Sequence, residues 1–226
     1  PYRRQRQMCI RDRSYAYGRW LKYVGDSDNA PEYQRLTGKQ IGSKYGFIAN
    51  GLFQSEEEIA NSATVKGYKA LPGYIKYVDR NGDGIITAAQ DQGYVGKSAT
   101  PKHTGSLNLF GNWKGFDFDL LFSWGLGNVV ALTGQYTASG SAGTQDNTSF
   151  TKPFYHGGNS PTFLVENSWT PEHTNAEFPR LEITGPSNNN GYSSTFWYRN
   201  GNYMRLKTAQ IGYNFPKKWL NPAGIE

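Results

Sequence analysis

The stretch TGSLNLFGNWKGFDFDLLFSWGL, residues 104–126, decides the fold class. In its first half Leu107, Leu109, Gly111 and Trp113 alternate with Ser106, Asn108, Phe110 and Asn112, and Lys114-Gly115 then interrupts the pattern. In its second half Phe116, Phe118, Leu120, Phe122, Trp124 and Leu126 share one parity, against Asp117, Asp119, Leu121, Ser123 and Gly125 on the other. Successive side chains point to opposite faces of a strand, so period two on both sides of a two-residue turn predicts an antiparallel β-hairpin. One face of the second strand is a ladder of six large apolar groups, four of them aromatic, and the other carries carboxylates, a hydroxyl and glycine. A soluble β-sandwich alternates as well. The size and continuity of this ladder point instead to the lipid-facing wall of a membrane barrel, as does the pairing of Trp113 and Phe116 at the turn, where an interfacial girdle belongs.

Outward from the hairpin, residues 203–215 alternate again, with Ala209, Ile211, Tyr213 and Phe215 opposite Thr208, Gln210, Gly212 and Asn214. Pro216 ends this third strand because it cannot donate to a ladder. Between lies a polar stretch, 127–202, with SGSAG at 139–143 and NNN at 188–190. Such a length suits the long outer loop of a barrel better than a soluble domain. On the other side, residues 14–101 are polar and turn-rich, with short alternating runs at 19–24 and 45–53. SEEEIA at 55–60 fits a helix start, Ser55 and Glu58 forming a capping box over an acidic first turn; beyond the cap the glutamates read as a solvated turn.

Composition agrees. In 226 residues, 15% aromatic side chains and 27 glycines exclude a helix bundle, and so many aromatics require burial in something apolar, which excludes disorder. No run of about 20 apolar residues exists for a spanning helix. The nearest, 120–132, is short and includes two glycines and an asparagine. Any crossing is therefore made by strands.

The first residues carry a different message. RRQRQMCIRDR, 3–13, matches the translation of a transposase sequencing adapter; residues 1–14 are expected to be a scar outside the fold, with 3–13 packed against nothing and in no sheet. Without its five arginines and Asp12 the chain keeps 19 basic and 17 acidic residues, so the net charge of +6 gives no case for nucleic acid. Cys9, the single cysteine, goes with it. Residues 15–226 are then expected to be part of a barrel whose reading frame began inside a broken gene.

The most chemical motif is DRNGDGII, 79–86. Asp79, Asn81 and Asp83 stand at positions 1, 3 and 5 of a calcium loop, with Gly84 at the sharp turn and the Ile85 carbonyl at position 7. Position 12 should supply a bidentate carboxylate but is Gln90; Asp91 comes one residue late. The expectation is a calcium site of low affinity, or the same tight turn without metal. His103, His156 and His173 lack zinc spacing, and no GxSxG, P-loop or GxGxxG is present. Asp117 and Asp119 lie about 7 Å apart on one strand face and read as lumen-facing polar groups, so no enzyme is expected. Tyr192, Phe196, Trp197 and Tyr198 are loop aromatics able to stack on sugar rings or a partner, or simply to pack the loop.

Five blocks in register carry a family resemblance: GSKYGF at 42–47 with GLFQSEEEI at 51–59; PGYIKYVDRNGDG at 72–84; YVG at 94–96 with PK at 101–102 and KGFD at 114–117; WTPE at 169–172 with NA at 175–176 and FPRL at 178–181; and YMRLK at 203–207 with GY at 212–213 and PK at 216–217. They resemble the C-terminal part of SusC/RagA-type TonB-dependent outer-membrane transporters. Gln90 departs from the family's acidic end of the Asp loop, Tyr74 from a common acidic residue, and Ala99-Thr100 from its usual Asn-rich lead into Pro101. The resemblance implies an all-β fold, an antiparallel segment of a large transmembrane β-barrel with long extracellular loops, whose plug and last strands lie outside this chain. It implies an importer of oligosaccharides or peptides in the outer membrane of a Gram-negative bacterium of the Bacteroides group. A SusD-like lipoprotein would be its lid, outer-membrane lipid its surroundings, and the TonB-ExbB-ExbD complex its energy source. The competing expectation is a soluble, calcium-stabilised, glycan-binding β-sandwich. Burial of the hairpin's apolar face separates the two.

Overall fold

The computed structural model describes residues 8–132, 160–181 and 190–215. In chain order the elements begin with β1 (Met8–Tyr15), β2 (Ser43–Gly46), β3 (Ala49–Leu52), α1 (Glu56–Ala60), β4 (Thr64–Val65), β5 (Ile75–Tyr77), β6 (Ile85–Ile86) and α2 (Ala88–Asp91). They continue with β7 (Gly93–Ser98), β8 (His103–Trp113), β9 (Phe116–Leu126), β10 (Val129–Ala131), α3 (Thr162–Glu166), β11 (Tyr198–Asn200) and β12 (Tyr203–Tyr213). The chain divides into two compact units, one of residues 1–18, 99–129 and 200–226, the other of 19–98 and 130–199.

The first unit is one antiparallel sheet in the order β1-β8-β9-β12. β8 and β9 form the expected hairpin, in register from Trp113 opposite Phe116 to His103 opposite Leu126. Lys114 (φ 49°) and Gly115 (φ 90°) make the turn. Positive φ at both positions gives the right-handed twist that a two-residue hairpin needs. β12 extends the sheet, aligning Ile211 with Phe118 and Ala209 with Leu120. A register shift between Leu206 and Thr208 then brings Leu206 opposite Phe122 and Met204 opposite Trp124. The apolar row therefore continues through β12, although its parity in the sequence changes at Lys207.

That apolar face is not a sandwich core. Leu107, Leu109, Phe118, Leu120, Phe122 and Trp124 are all absent from the buried core, and Trp113 and Ile211 are 67% and 80% exposed. Every buried apolar side chain among the described residues belongs to the second unit.

Residues 8–13 correct the expectation that the adapter-like stretch joins no sheet. β1 runs along β8, from Met8 opposite Phe110 to Tyr15 opposite His103. Backbone hydrogen bonds do not read side chains, and an open strand edge accepts any extended chain. Residues 3–7 lie outside the described residues.

The second unit corrects the reading of two polar, loosely organised loops. Its core joins Phe47, Leu52, Val65, Ile75, Tyr77 and Ile86 from the first insertion to Leu164, Trp169, Phe178 and Trp197 from the second. Ile75 N donates to the buried Asn190 Oδ1 at 2.8 Å, Ala49 N to Thr195 Oγ1 at 2.9 Å, and Trp169 Nε1 to Gln54 Oε1 at 3.2 Å. The 139–143 run and residues 188–189 lie outside the described residues. The glutamates of α1 also do more than expected. Ser55 Oγ accepts from Glu58 N at 3.1 Å, Glu58 Oε2 accepts from Gln54 N at 2.8 Å, and Glu58 Oε1 meets Lys76 Nζ at 2.8 Å.

Trp124 lies across the hairpin on Gly105, and a Cβ at that glycine would clash with the indole and fall 2.9 Å from Asp12 O. Gly105→Val in the full-length protein should therefore cost about 1–3 kcal/mol through overpacking. Denaturant midpoints of the two proteins measure it, and an unchanged midpoint would show that the indole moves aside freely.

Candidate functional site

The sheet is the larger candidate surface. Its polar face carries Asn108, Asp119 and Ser123, on which Asn108 Oδ1, Asp119 Oδ1 and Ser123 Oγ are shielded from solvent without a hydrogen-bond partner. Asp117 and Asp119 share this face, opposite Gly212 and Gln210, and Asp117 Oδ1 accepts from Asn214 Nδ2 at 3.1 Å. A wall apolar on one side and polar on the other separates lipid from an aqueous lumen.

The Asp79 loop is built by its own side chains. Asp79 Oδ1 accepts from Gly82 N at 2.6 Å and Oδ2 from Gly84 N at 2.7 Å. The Gly84 amide, and after it that of Gly82, hold the Asp79 carboxyl below the usual range against the opposing pull of desolvation. Asp83 Oδ1 accepts from Ile85 N and Oδ2 from Asn81 Nδ2, both at 2.8 Å. Gly82 and Gly84 sit at φ 79° and 82°, backbone that favours glycine. Asp79, Asn81 and Asp83 thus share one exposed turn, with the Ile85 backbone at its end.

Asp91 takes a different place from the one its lateness in the motif suggested. It is fully buried. Its Oδ1 accepts from Arg80 N at 2.8 Å and its Oδ2 from Thr87 N at 2.7 Å. Both oxygens are engaged in tying the start of the loop to its end, so Asp91 braces the loop. Among the described residues no three His, Cys, Asp or Glu side chains gather as a metal cluster. Around the brace, the Arg80 guanidinium lies 3.7 Å from the Tyr33 ring centroid, and Gln34 Nε2 donates to Ala89 O at 2.7 Å.

The loop aromatics are mostly structural. Trp197 is fully buried and its Nε1 donates to Asn190 O at 2.8 Å, as the loop-packing alternative requires. Phe196 packs edge-on against it at 5.1 Å. Tyr192 stacks on Phe47 at 5.5 Å, and burial, then its hydrogen bond with Tyr68, pushes its hydroxyl up to about 12. Tyr198 Oη lies 3.3 Å from Ser193 Oγ. No sequence signal distinguished these roles, because loop aromatics have no period.

No protein-family model matches the chain. Curated relatives do. It is 30% identical over 207 residues to TonB-dependent receptor P3 of Formosa agariphila, which covers 88% of this chain and 18% of that protein. It is 24% identical over 222 residues to TonB-dependent receptor P39 of the same organism, covering 83% of this chain and 20% of the relative. The chain thus spans about a fifth of the length of the curated relatives it matches. Among solved structures, the RagAB peptide importer in the open-open state aligns with 97% of this chain and 21% of its own, at a TM-score of 0.55 and 18% identity. A structure of the RagAB peptide transporter aligns with 96% of this chain and 22% of its own, at a TM-score of 0.54 and 18% identity. These likenesses establish the fold.

Asp91→Ala should leave the Arg80 and Thr87 amides without acceptors and cost about 2–3 kcal/mol. Amide exchange in the full-length protein should accelerate at those two positions first; unchanged exchange would remove the brace. Asp79 and Glu58 have lowered folded values, Glu58 through Lys76 first and Gln54 N next. Their contribution is complete above the ordinary 3.8 and 4.5 and is lost as pH falls through the lower folded values. Exchange at Gly82, Gly84 and Gln54 should speed up in that acid range and not above it.

Proposed function

The chain belongs to the SusC/RagA-type TonB-dependent transporters, and from that premise we propose that it supplies wall strands and outer loops of an outer-membrane importer for oligosaccharides or other large nutrients. The observation that carries this is the three-strand apolar row of β8, β9 and β12, which contributes nothing to the buried core. It argues equally against the glycan-binding sandwich, whose second sheet would have to bury that row. The proposed activity is transport and not catalysis, a reading that the TonB-dependent receptor relatives support. The host is a Gram-negative bacterium of the Bacteroides group, in keeping with the Formosa relatives. Peptide stands beside oligosaccharide as cargo because RagAB is named a peptide importer.

A SusD-like lipoprotein as partner, and TonB-ExbB-ExbD as the energy source acting through segments outside this chain, complete the proposal on the strength of the family resemblance. Calcium enters as a loosely held structural ion on Asp79, Asn81, Asp83 and the Ile85 carbonyl, with affinity on the order of 10⁻⁴ to 10⁻³ M. Calorimetry on the full-length protein should show a calcium heat that Asp79→Ala/Asp83→Ala abolishes. Equal heats, or none, leave the loop a turn. Residues 1–14 are proposed to be foreign to the transporter, and an independently sequenced copy of the gene that encodes the same residues would contradict this.

Leu120→Arg in the full-length protein tests the main reading. Placed near the bilayer midplane, it should cost about 2–4 kcal/mol and impair barrel assembly. Assembly and stability equal to wild type would count against a lipid-facing Leu120.

A further inference from the structure

The hairpin turn departs from what its backbone favours. The first central position of such a turn usually holds asparagine, aspartate or glycine. Here it is Lys114, the one non-glycine residue with positive φ among the described residues. The turn is held in place by Asn214 N donating to Gly115 O at 2.7 Å. Lysine gains nothing from the left-handed backbone, so its value must lie in its side chain.

The direction of that side chain is informative. The exposed carboxyl group of Asp117 is three residues away on the polar face, yet no ion pair joins the two. The ammonium lies instead 4.8 Å from the centroid of the Trp113 ring, on the apolar side. The same end of the sheet carries the exposed aromatics Trp113, Phe116 and Phe215, with Tyr213 bridging Phe116 at 4.6 Å and Phe215 at 5.0 Å. Aromatic belts sit at headgroup level, and a lysine among them lays its stem on apolar surface and presents its charge to the headgroups. The indole face takes one side of the ammonium, and its remaining N–H donors are free for anionic oxygens.

We infer that Trp113 and Lys114, with Phe116 and Tyr213, form a headgroup site that holds the phosphate of a phospholipid in the leaflet at the turn end of the barrel. The inference rests on the membrane reading above. Charge selects the occupant, an ammonium with no internal carboxylate, and so does continuity with the lipid-facing row.

The test is amine acylation of the full-length transporter, followed by mass spectrometry of the Lys114 peptide. The protein is placed in vesicles of phosphatidylglycerol or of a neutral galactolipid without phosphate. Lys114 should react about fivefold more slowly in the phospholipid, and Trp113→Ala should remove much of that protection. Galactolipid vesicles with millimolar inorganic phosphate should leave Lys114 fast. Equal rates in both lipids overturn the site, as does protection by free phosphate alone. Flotation with the vesicles reports insertion separately. Protein that does not float contradicts the membrane reading itself, whereas inserted protein with an unprotected Lys114 contradicts only the headgroup site.

Discussion

A strand that crosses lipid must pair every backbone N–H and C=O with another strand, because hydrocarbon offers no substitute partner. The sheet obeys this constraint from Trp113–Phe116 to His103–Leu126 and again along β12. Pairing fixes register, and with a side-chain period of two, register fixes which residues face lipid. The row of Leu109, Leu120 and Ala209 and the row of Gly111, Phe118 and Ile211 are consequences of that single alignment. The same constraint accounts for β1. The free edge of β8 takes an extended neighbour by backbone alone.

The second unit is held by a buried core. In water, an insertion must bury enough apolar surface to offset its ordering entropy. Neither insertion supplies a full core alone, and Phe47, Ile75 and Tyr77 close over Trp169, Phe178 and Trp197 from more than 80 residues further on. The hydrogen bond from Ile75 N to Asn190 Oδ1 ties the two together inside that core.

What the sequence made legible follows from periodicity. The hairpin, its turn at Lys114-Gly115 and the polar face of Asp117 and Asp119 were readable because alternation is local. β12 was readable only above Lys207, since a single irregularity reverses parity and hides Met204 and Leu206 from a strict period-two reading. The outer core was not readable, for its members come from two distant segments with no common period. Whether Trp197 packed the loop or faced a ligand stayed open, because a polar loop gives no sign that it closes on another. Asp91 looked like a late calcium ligand because spacing shows where a carboxylate stands in the chain and not which amides it meets. Arg80 and Thr87 reach it first.

The most direct measurement of the central claim is site-directed spin labelling along β9 of the full-length protein in lipid vesicles. Labels at Phe118, Leu120 and Phe122 should be relaxed by oxygen dissolved in the bilayer, and labels at Asp117, Asp119 and Ser123 by a water-soluble nickel complex. Alternation with a period of two in the two accessibilities is the predicted result. Uniform protection from both reagents on the apolar set, as beneath a second protein sheet, would contradict a lipid-facing wall.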